Sequence, residues 1–172
     1  MKINHLALKA IYLHEMDRFR RTLTQSLLSP VLTTSLYFIV FGSVIGGYVE
    51  KIDGISYGSY IVPGLLMLTL LTQSISNTSF GIFFPKFNGT IYEILAAPIS
   101  TFEVVLAFVG AGATKTLIVS IIIFFTSLFF VDVQVKYPFL MIFLLILVAF
   151  TFVLFGFLIG LISSDFEQMS II

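Results

Sequence analysis

Four long stretches without Asp, Glu or Arg constrain the fold of this chain more than any other feature. They cover residues 22–49, 54–85, 104–131 and 137–164, with Lys115 as their single charged residue. Each exceeds the roughly 20 apolar residues that a helix needs to cross a bilayer. A water-soluble helix of that length would need a charged face. We therefore expect four membrane-spanning helices, placed at residues 27–48, 60–84, 104–131 and 138–162.

Composition supports lipid as the main solvent. Hydrophobic residues make up 58% of the chain and charged residues only 10%, which leaves too little polar surface for a soluble domain. The predicted fold class is all-α, a polytopic transmembrane helix bundle that forms a single domain over residues 1–172. The formal net charge is zero, so no basic excess indicates a nucleic-acid partner. Cys is absent, and we expect neither a catalytic site nor a metal site.

The basic residues predict the orientation. Five of the nine precede the first span: Lys2, Lys9, Arg18, Arg20 and Arg21. The positive-inside rule therefore places the N-terminus in the cytoplasm. Four crossings would return the C-terminus to the same side and would also place the link between the second and third spans there.

The segment before the first span carries two apolar stripes at helical spacing. The first consists of Leu8, Tyr12, Met16, Phe19 and Leu23, and the second of Ile3, Leu6, Ala10 and Leu13. This pattern predicts an N-terminal interfacial helix that lies along the inner leaflet, with membrane lipids as its partner. A plain cytoplasmic leader that carries orienting charges is the alternative.

The link after the second span contains signals for a short helix. Pro85 is expected to end the second span, and Gly89 permits a turn. Thr90 and Glu93 have the spacing of a capping box, and the helix that they would open must stop before Pro98.

A second capping box, Ser100 with Glu103, is expected to open the third span. The two boxes enclose a compact apolar helix on the cytoplasmic face. An exposed apolar helix in this place needs a partner, either the membrane or another protein.

Small residues inside the spans indicate where helices could pack closely. Gly42 and Gly46 form one G-x-x-x-G pattern, and Gly156 and Gly160 form another. Such pairs allow two helix backbones to approach each other. Either pair could serve packing within the chain or the formation of a homodimer.

Lys115 allows two interpretations. The 16 residues from position 116 to position 131 cover only about 24 Å, which places Lys115 toward the inner boundary, where it could snorkel to the headgroups. The alternative is a role in a polar cavity, because an ionisable group inside a membrane is a candidate functional residue.

Residues 110–116 resemble a phosphate-binding loop only superficially. The two positions that must be glycine hold Val109 and Thr114, so we expect no ATPase activity from this chain itself. The spans also lack the carboxylates that ion-coupled transporters place within the membrane. The energy for any transport would therefore come from another protein.

Several segments together resemble the membrane permease subunits of type 2 ATP-binding-cassette (ABC) exporters. They are SPVL at 29–32, LYF at 36–38, FG at 41–42, IVPG at 61–64, EILAAP at 93–98 and DF at 165–166. The order and spacing of the segments, taken together, carry the resemblance. The resemblance covers nearly the whole chain.

The resemblance implies that the short cytoplasmic helix is a coupling helix that docks on a separate nucleotide-binding subunit. The docking residues would be Ile91, Tyr92, Glu93, Ile94, Leu95, Ala96, Ala97 and Pro98. Packing would come from the four large apolar side chains of this set, a cap or polar contact from Glu93, and a rigid exit from Pro98.

The resemblance further implies a bacterial inner-membrane exporter that works as a permease homodimer. It would move a lipid, a polysaccharide or a drug-like compound outward. ATP and Mg would be used by the partner subunit, and this chain would bind no cofactor.

One departure from the family pattern leaves alternatives open. Family permeases typically carry six spans, whereas four are expected here, so the chain is expected to lack the C-terminal spans. A non-transporting scaffold or assembly subunit, or an inactive truncated permease, is one alternative. An intramembrane enzyme or ion-coupled carrier that uses Lys115 is another.

Overall fold

The computed structural model describes residues 4–45, 51–52, 54–133 and 135–171. Almost all of the described chain is helical, which confirms the all-α prediction, apart from a hairpin of two very short antiparallel strands. The elements in chain order are α1 (His5–Arg21), α2 (Leu23–Tyr37) with a π-helical continuation (Phe38–Ile45), β1 (Lys51–Ile52), β2 (Ile55–Ser56), α3 (Tyr57–Phe87), α4 (Ile91–Ala96), α5 (Thr101–Ser127), α6 (Pro138–Ile162) and α7 (Phe166–Ile171).

Four helices are long and apolar enough to cross a membrane. They are Leu23–Phe41, Tyr57–Phe87, Thr101–Ser127 and Pro138–Ile162. Each overlaps one of the four segments expected from the sequence, and the fourth has the same bounds. The helix that precedes the first of them, α1, carries three arginines in its last turn, Arg18, Arg20 and Arg21.

Helix α3 lies at the centre of the bundle and packs against both α5 and α6. Its contact with α6 depends on glycine. A Cβ atom added at Gly156 would lie 2.6 Å from the carbonyl oxygen of Ile75, and one added at Gly160 would lie 2.9 Å from the Cα of Ser79. These glycines therefore let two helix backbones of the same chain meet, and their face is not free to bind a second copy.

The structure does not test the other small-residue pattern, that of Gly42 and Gly46. Gly42 lies in the π-helical continuation of α2, whereas Gly46 falls outside the described residues. The pair therefore stays a prediction.

Helix α1 packs along α5 through the first of its two apolar stripes. Phe19 from this stripe is buried, and Met16 packs against the same cluster of core residues. Ile3 of the second stripe lies outside the described residues, whereas Leu6, Ala10 and Leu13 are exposed, Leu6 by 82%. The helix therefore uses one apolar face within the chain and presents the other outward.

The end of the bundle that carries α4 is also where α6 ends. The ammonium group of Lys86 donates hydrogen bonds to the carbonyl oxygens of Leu161 and Ser163, at 2.7 and 2.8 Å. A cation in this place satisfies free carbonyls at a helix C-terminus and complements the helix dipole. Phe166 then packs its ring against Phe83, with 4.8 Å between the ring centroids, and so holds the start of α7 on α3.

The prediction that Pro85 ends the second span is wrong, because α3 continues to Phe87. Proline removes only one backbone donor, and the next turn still closes, since the amide of Asn88 donates to the carbonyl of Phe84 at 3.0 Å. The chain leaves the helix at Gly89, whose φ of 77° lies in the left-handed region that favours glycine.

The first predicted capping box does not form, although the short helix itself does. Thr90 already has helical backbone angles and makes no capping hydrogen bond, whereas an N-cap residue needs extended angles. The second predicted box is confirmed. Ser100 has extended angles, and its side chain and that of Glu103 exchange hydrogen bonds with each other's backbone.

Candidate functional site

Helix α4 presents a small apolar surface at one end of the bundle. None of its residues is buried, and Tyr92 and Leu95 are 73% and 56% exposed. Glu93 lies beside them and is also exposed. The three side chains form an outward face that is available to another protein.

The opposite face of α4 holds it on the bundle. Ile91 and Ile94 are partly buried and pack against the apolar core that α5 and α6 share. Both were expected to pack against a partner; the structure places them on the core of the chain itself, and a contact of either with a partner stays a prediction. At helical spacing, positions three apart share a face, so Ile91 and Ile94 turn inward together while Tyr92 and Leu95 turn outward.

Glu103 joins three elements next to α4. Its carboxylate accepts hydrogen bonds from the backbone amide of Ser100 at 2.8 Å and from that of Asn4 at 2.6 Å. Asn4 in turn caps α1 by accepting from the amide of Ala7, and its side chain donates to the carbonyl of Pro98. The exit of α4, the start of α5 and the start of α1 are thus fixed to one another.

A buried ion pair lies deeper in the bundle. The ammonium group of Lys115 on α5 is 2.7 Å from Oε2 of Glu15 on α1, and both side chains are almost fully buried. The snorkelling interpretation expected the Lys115 side chain to reach the headgroups. Its ammonium group is instead directed at Glu15 inside the bundle. It neutralises a carboxylate contributed by the N-terminal helix.

Arg18 completes this cluster. Its Nη2 lies 2.9 Å from the same oxygen of Glu15, so one carboxylate oxygen serves two cations. Gly81 on α3 lies against the cluster, since a Cβ atom added there would be in ordinary contact with that oxygen, at 3.4 Å, and with Nη2 of Arg18, at 3.5 Å. Three helices thus meet at one carboxylate.

A cavity of about 520 Å³ adjoins this cluster. Lys115 and Arg18 line it together with residues of the last turns of α3, and it reaches Asn88 and Thr90 just before α4. Several of its lining side chains are exposed, among them Phe84 at 41%, so the cavity is open to the surroundings of the bundle. It therefore lies between the buried cations and the outward helix α4.

Glu15 was not predicted as a functional residue, because it precedes the first of the four uncharged runs from which the spans were predicted. A signal was present. Glu15 lies four residues from both Ile11 and Phe19, so it shares the inward face of α1 with them. A carboxylate on that face needs a buried cation, and Lys115 was the single candidate within the four uncharged runs.

The bundle of apolar helices defines an integral membrane protein, and comparison with known proteins gives its family. Residues 7–172 match the family described as ABC-2 type transporter. The chain belongs to this family. No solved structure matches it.

Among curated proteins, the chain is similar to the "Inner membrane transport permease YadH" of Escherichia coli (strain K12). The two are 38% identical over 172 residues, which is 100% of this chain and 67% of the relative. The protein of the same name from Shigella flexneri matches with the same identity and coverage.

Proposed function

We propose that this chain is the permease subunit of an ABC exporter in which α4 is the coupling helix. A separate ATP-binding subunit would dock on the outward face of α4 and hydrolyse ATP. The chain itself would bind neither ATP nor Mg. Closure of the partner would then be transmitted to the spans and drive the export of a lipid, a polysaccharide or a drug-like compound.

The division of α4 into two faces supports this proposal most strongly. A coupling element must contact a partner on one side and its own bundle on the other. Tyr92 and Leu95 are exposed, whereas Ile91 and Ile94 rest on the core. Large apolar side chains are costly to leave in water, so a partner that covers them gains binding energy.

The connections of α4 also suit the transmission of force. It follows α3 after a three-residue turn and precedes α5, whose first turn is fixed by the Ser100–Glu103 box. A displacement of α4 would therefore move two spanning helices directly, and α1 through Asn4.

The relatives support the cellular context of the proposal. A curated relative over the whole chain is named as an inner membrane transport permease, and we propose the same membrane for this chain. Five basic residues before the first span favour a cytoplasmic N-terminus. A permease homodimer would provide the second half of the translocation path, through faces other than that of Gly156 and Gly160.

Copurification with its ATP-binding subunit tests the docking role. Tyr92→Ala combined with Leu95→Ala is expected to reduce the recovered complex at least tenfold, because the exposed apolar contacts are removed while Ile91 and Ile94 stay in place. Phe129→Ala is the matched control, since Phe129 is 89% exposed but follows the far end of α5. Full recovery of the complex with the double variant would refute docking through α4.

A further inference from the structure

The cavity beside Lys115 has a lining that is selective in charge. Among the residues that the structure describes, its ionisable lining side chains are Lys115, Arg18 and His14, and none of these lining residues is acidic. Glu15 contacts both cations from behind but is not part of the lining. A ligand that enters the cavity therefore meets positive charge.

The charges behind the cavity do not balance. Two cations, Lys115 and Arg18, share the single carboxylate of Glu15, which leaves one positive charge over. Among the described residues, Arg18 has no second ionic partner, and its side chain is 31% exposed. Charges removed from bulk water are costly unless they are paired, so the cluster favours an anion on its open side.

Arginine is suited to one kind of anion in particular. The planar guanidinium of Arg18 has five N–H donors on three nitrogen atoms. Of these atoms, Nη2 contacts Glu15. The donors that remain match the oxygens of a phosphate group, which arginine binds in a bidentate manner. Ser76 on α3 adds a hydroxyl group to the same cavity.

The remaining lining is apolar and aromatic. Phe19, Phe80 and Phe84 contribute rings, and the last two are each 41% exposed. A site with basic groups at its base and aromatic rings at its open side suits a ligand that is itself charged at one end and apolar beyond it. Basic pockets between membrane helices bind lipid headgroups in this way.

We propose that this cavity, between α1, α3 and α5, binds the phosphate group of an anionic amphiphile through Arg18 and Lys115. Neither docking on α4 nor ATP hydrolysis is needed for this binding. An experiment that disproves phosphate binding in the cavity would therefore leave the proposed coupling role of α4 intact. Likewise, an experiment that disproves docking on α4 would leave the proposed phosphate site intact.

Binding to the purified 172-residue chain in neutral detergent tests the proposal. The probes are phosphatidylglycerol, phosphatidylcholine and inorganic phosphate, and native mass spectrometry gives an apparent Kd for each. Phosphatidylglycerol is expected to bind at least tenfold more tightly than phosphatidylcholine. Arg18→Gln should abolish most of this difference, a loss of about tenfold, because one charged set of hydrogen bonds is removed.

Arg20→Gln is the matched control, since Arg20 lies on the same helix, is exposed and does not line the cavity. It should bind phosphatidylglycerol like the unchanged chain. Arg18→Gln leaves Lys115 paired with Glu15, so the fold is expected to persist. Ser76→Leu is a second variant, which fills part of the cavity from α3 and alters no charge. It too should weaken the binding of phosphatidylglycerol.

Two results would support the site and identify its source of phosphate. Binding of phosphatidylglycerol alone, dependent on Arg18, indicates a lipid headgroup, whereas equal Arg18-dependent binding of inorganic phosphate indicates a soluble phosphate. The proposal is overturned if the two lipids bind equally. It is also overturned if neither Arg18→Gln nor Ser76→Leu changes the apparent Kd.

Discussion

Lys115 and Glu15 are 100 positions apart in sequence, and their charged groups lie 2.7 Å apart in the interior of the protein. The pair fastens the N-terminal helix α1 to the spanning helix α5. Both side chains are almost fully buried, and a buried charge is costly unless it is paired, so the contact stabilises the packing of the two helices. The pair therefore makes the position of α1 a property of the folded bundle rather than of the membrane surface alone.

Removal of one partner should be strongly destabilising. Lys115→Met would leave Glu15 buried with Arg18 as its remaining cation, and breaking a buried pair costs about 3–5 kcal/mol. We expect a loss near the lower end of this range, because Arg18 stays. Thermal unfolding of the purified protein in detergent measures it.

The double variant Glu15→Gln with Lys115→Met distinguishes a lost pair from a lost side chain. It removes both charges, so much of the stability should return. Lys9→Met, an exposed position on α1, should leave the unfolding temperature unchanged. If the double variant were as unstable as the sum of its single variants, the pairing would not explain the loss.

A second prediction concerns the contact between α6 and α3. Gly156→Ala would place a Cβ atom 2.8 Å from the Cα of Ile75, so one of the two backbones must move. Overpacking of this kind costs about 1–3 kcal/mol. The free energy of unfolding of the variant should fall by that amount in a denaturant titration in micelles.

Gly64→Ala is the matched control for this contact. It makes the same change within α3, where an added Cβ atom would meet no heavy atom within 4 Å. Alanine favours a helix over glycine by about 1 kcal/mol, so this variant should be neutral or more stable. A loss of stability in both variants would indicate an effect of the added methyl group itself, not of the helix contact.

Glu103 provides a third prediction. Glu103→Ala removes the acceptor for the amides of Asn4 and Ser100, and loss of such end-capping bonds costs about 0.5–2 kcal/mol. The first turn of α1 should then exchange its amide hydrogens faster, as measured by hydrogen–deuterium exchange. Glu93→Ala, which removes an exposed carboxylate from α4, should leave that exchange unchanged.

The four spans and the Ser100–Glu103 box were predictable because both depend on local sequence. A run of apolar residues specifies a spanning helix without reference to the rest of the chain. A capping box likewise involves residues three apart. The inward stripe of α1 was also visible as a periodic pattern, although its partner, α5, was not.

The features that the sequence did not reveal all depend on distant residues. The spacing of Glu15 on α1 indicates that it faces inward, but its contact with Lys115 follows from how α1 lies on α5, which the local sequence does not specify. The inward turn of Ile91 and Ile94 is similar, because a helix of only six residues, five of them without charge, shows no clear periodic face until a core is placed beside it.

The orientation of the protein gives the last prediction, and the absence of Cys from the chain makes it simple to test. Helix α3 has 31 residues and is about 46 Å long, so its two ends lie on opposite sides of a membrane. Its first turn contacts the link after α5, since the hydroxyl of Ser59 donates to the carbonyl of Asp132 at 2.9 Å. Helix α4 follows the other end.

Two single-cysteine variants report these two ends. Ile55→Cys, at an exposed position of β2, should react with a membrane-impermeant maleimide in right-side-out vesicles, whereas Tyr92→Cys should react only after the vesicles are opened. The basic excess before the first span favours a cytoplasmic N-terminus. The start of α1 and the exit of α4 lie at the same end of the bundle, so α4 is expected in the cytoplasm too. Labelling of Tyr92→Cys from outside would reverse the orientation and would place α4 beyond the reach of an ATP-binding subunit in the cytoplasm.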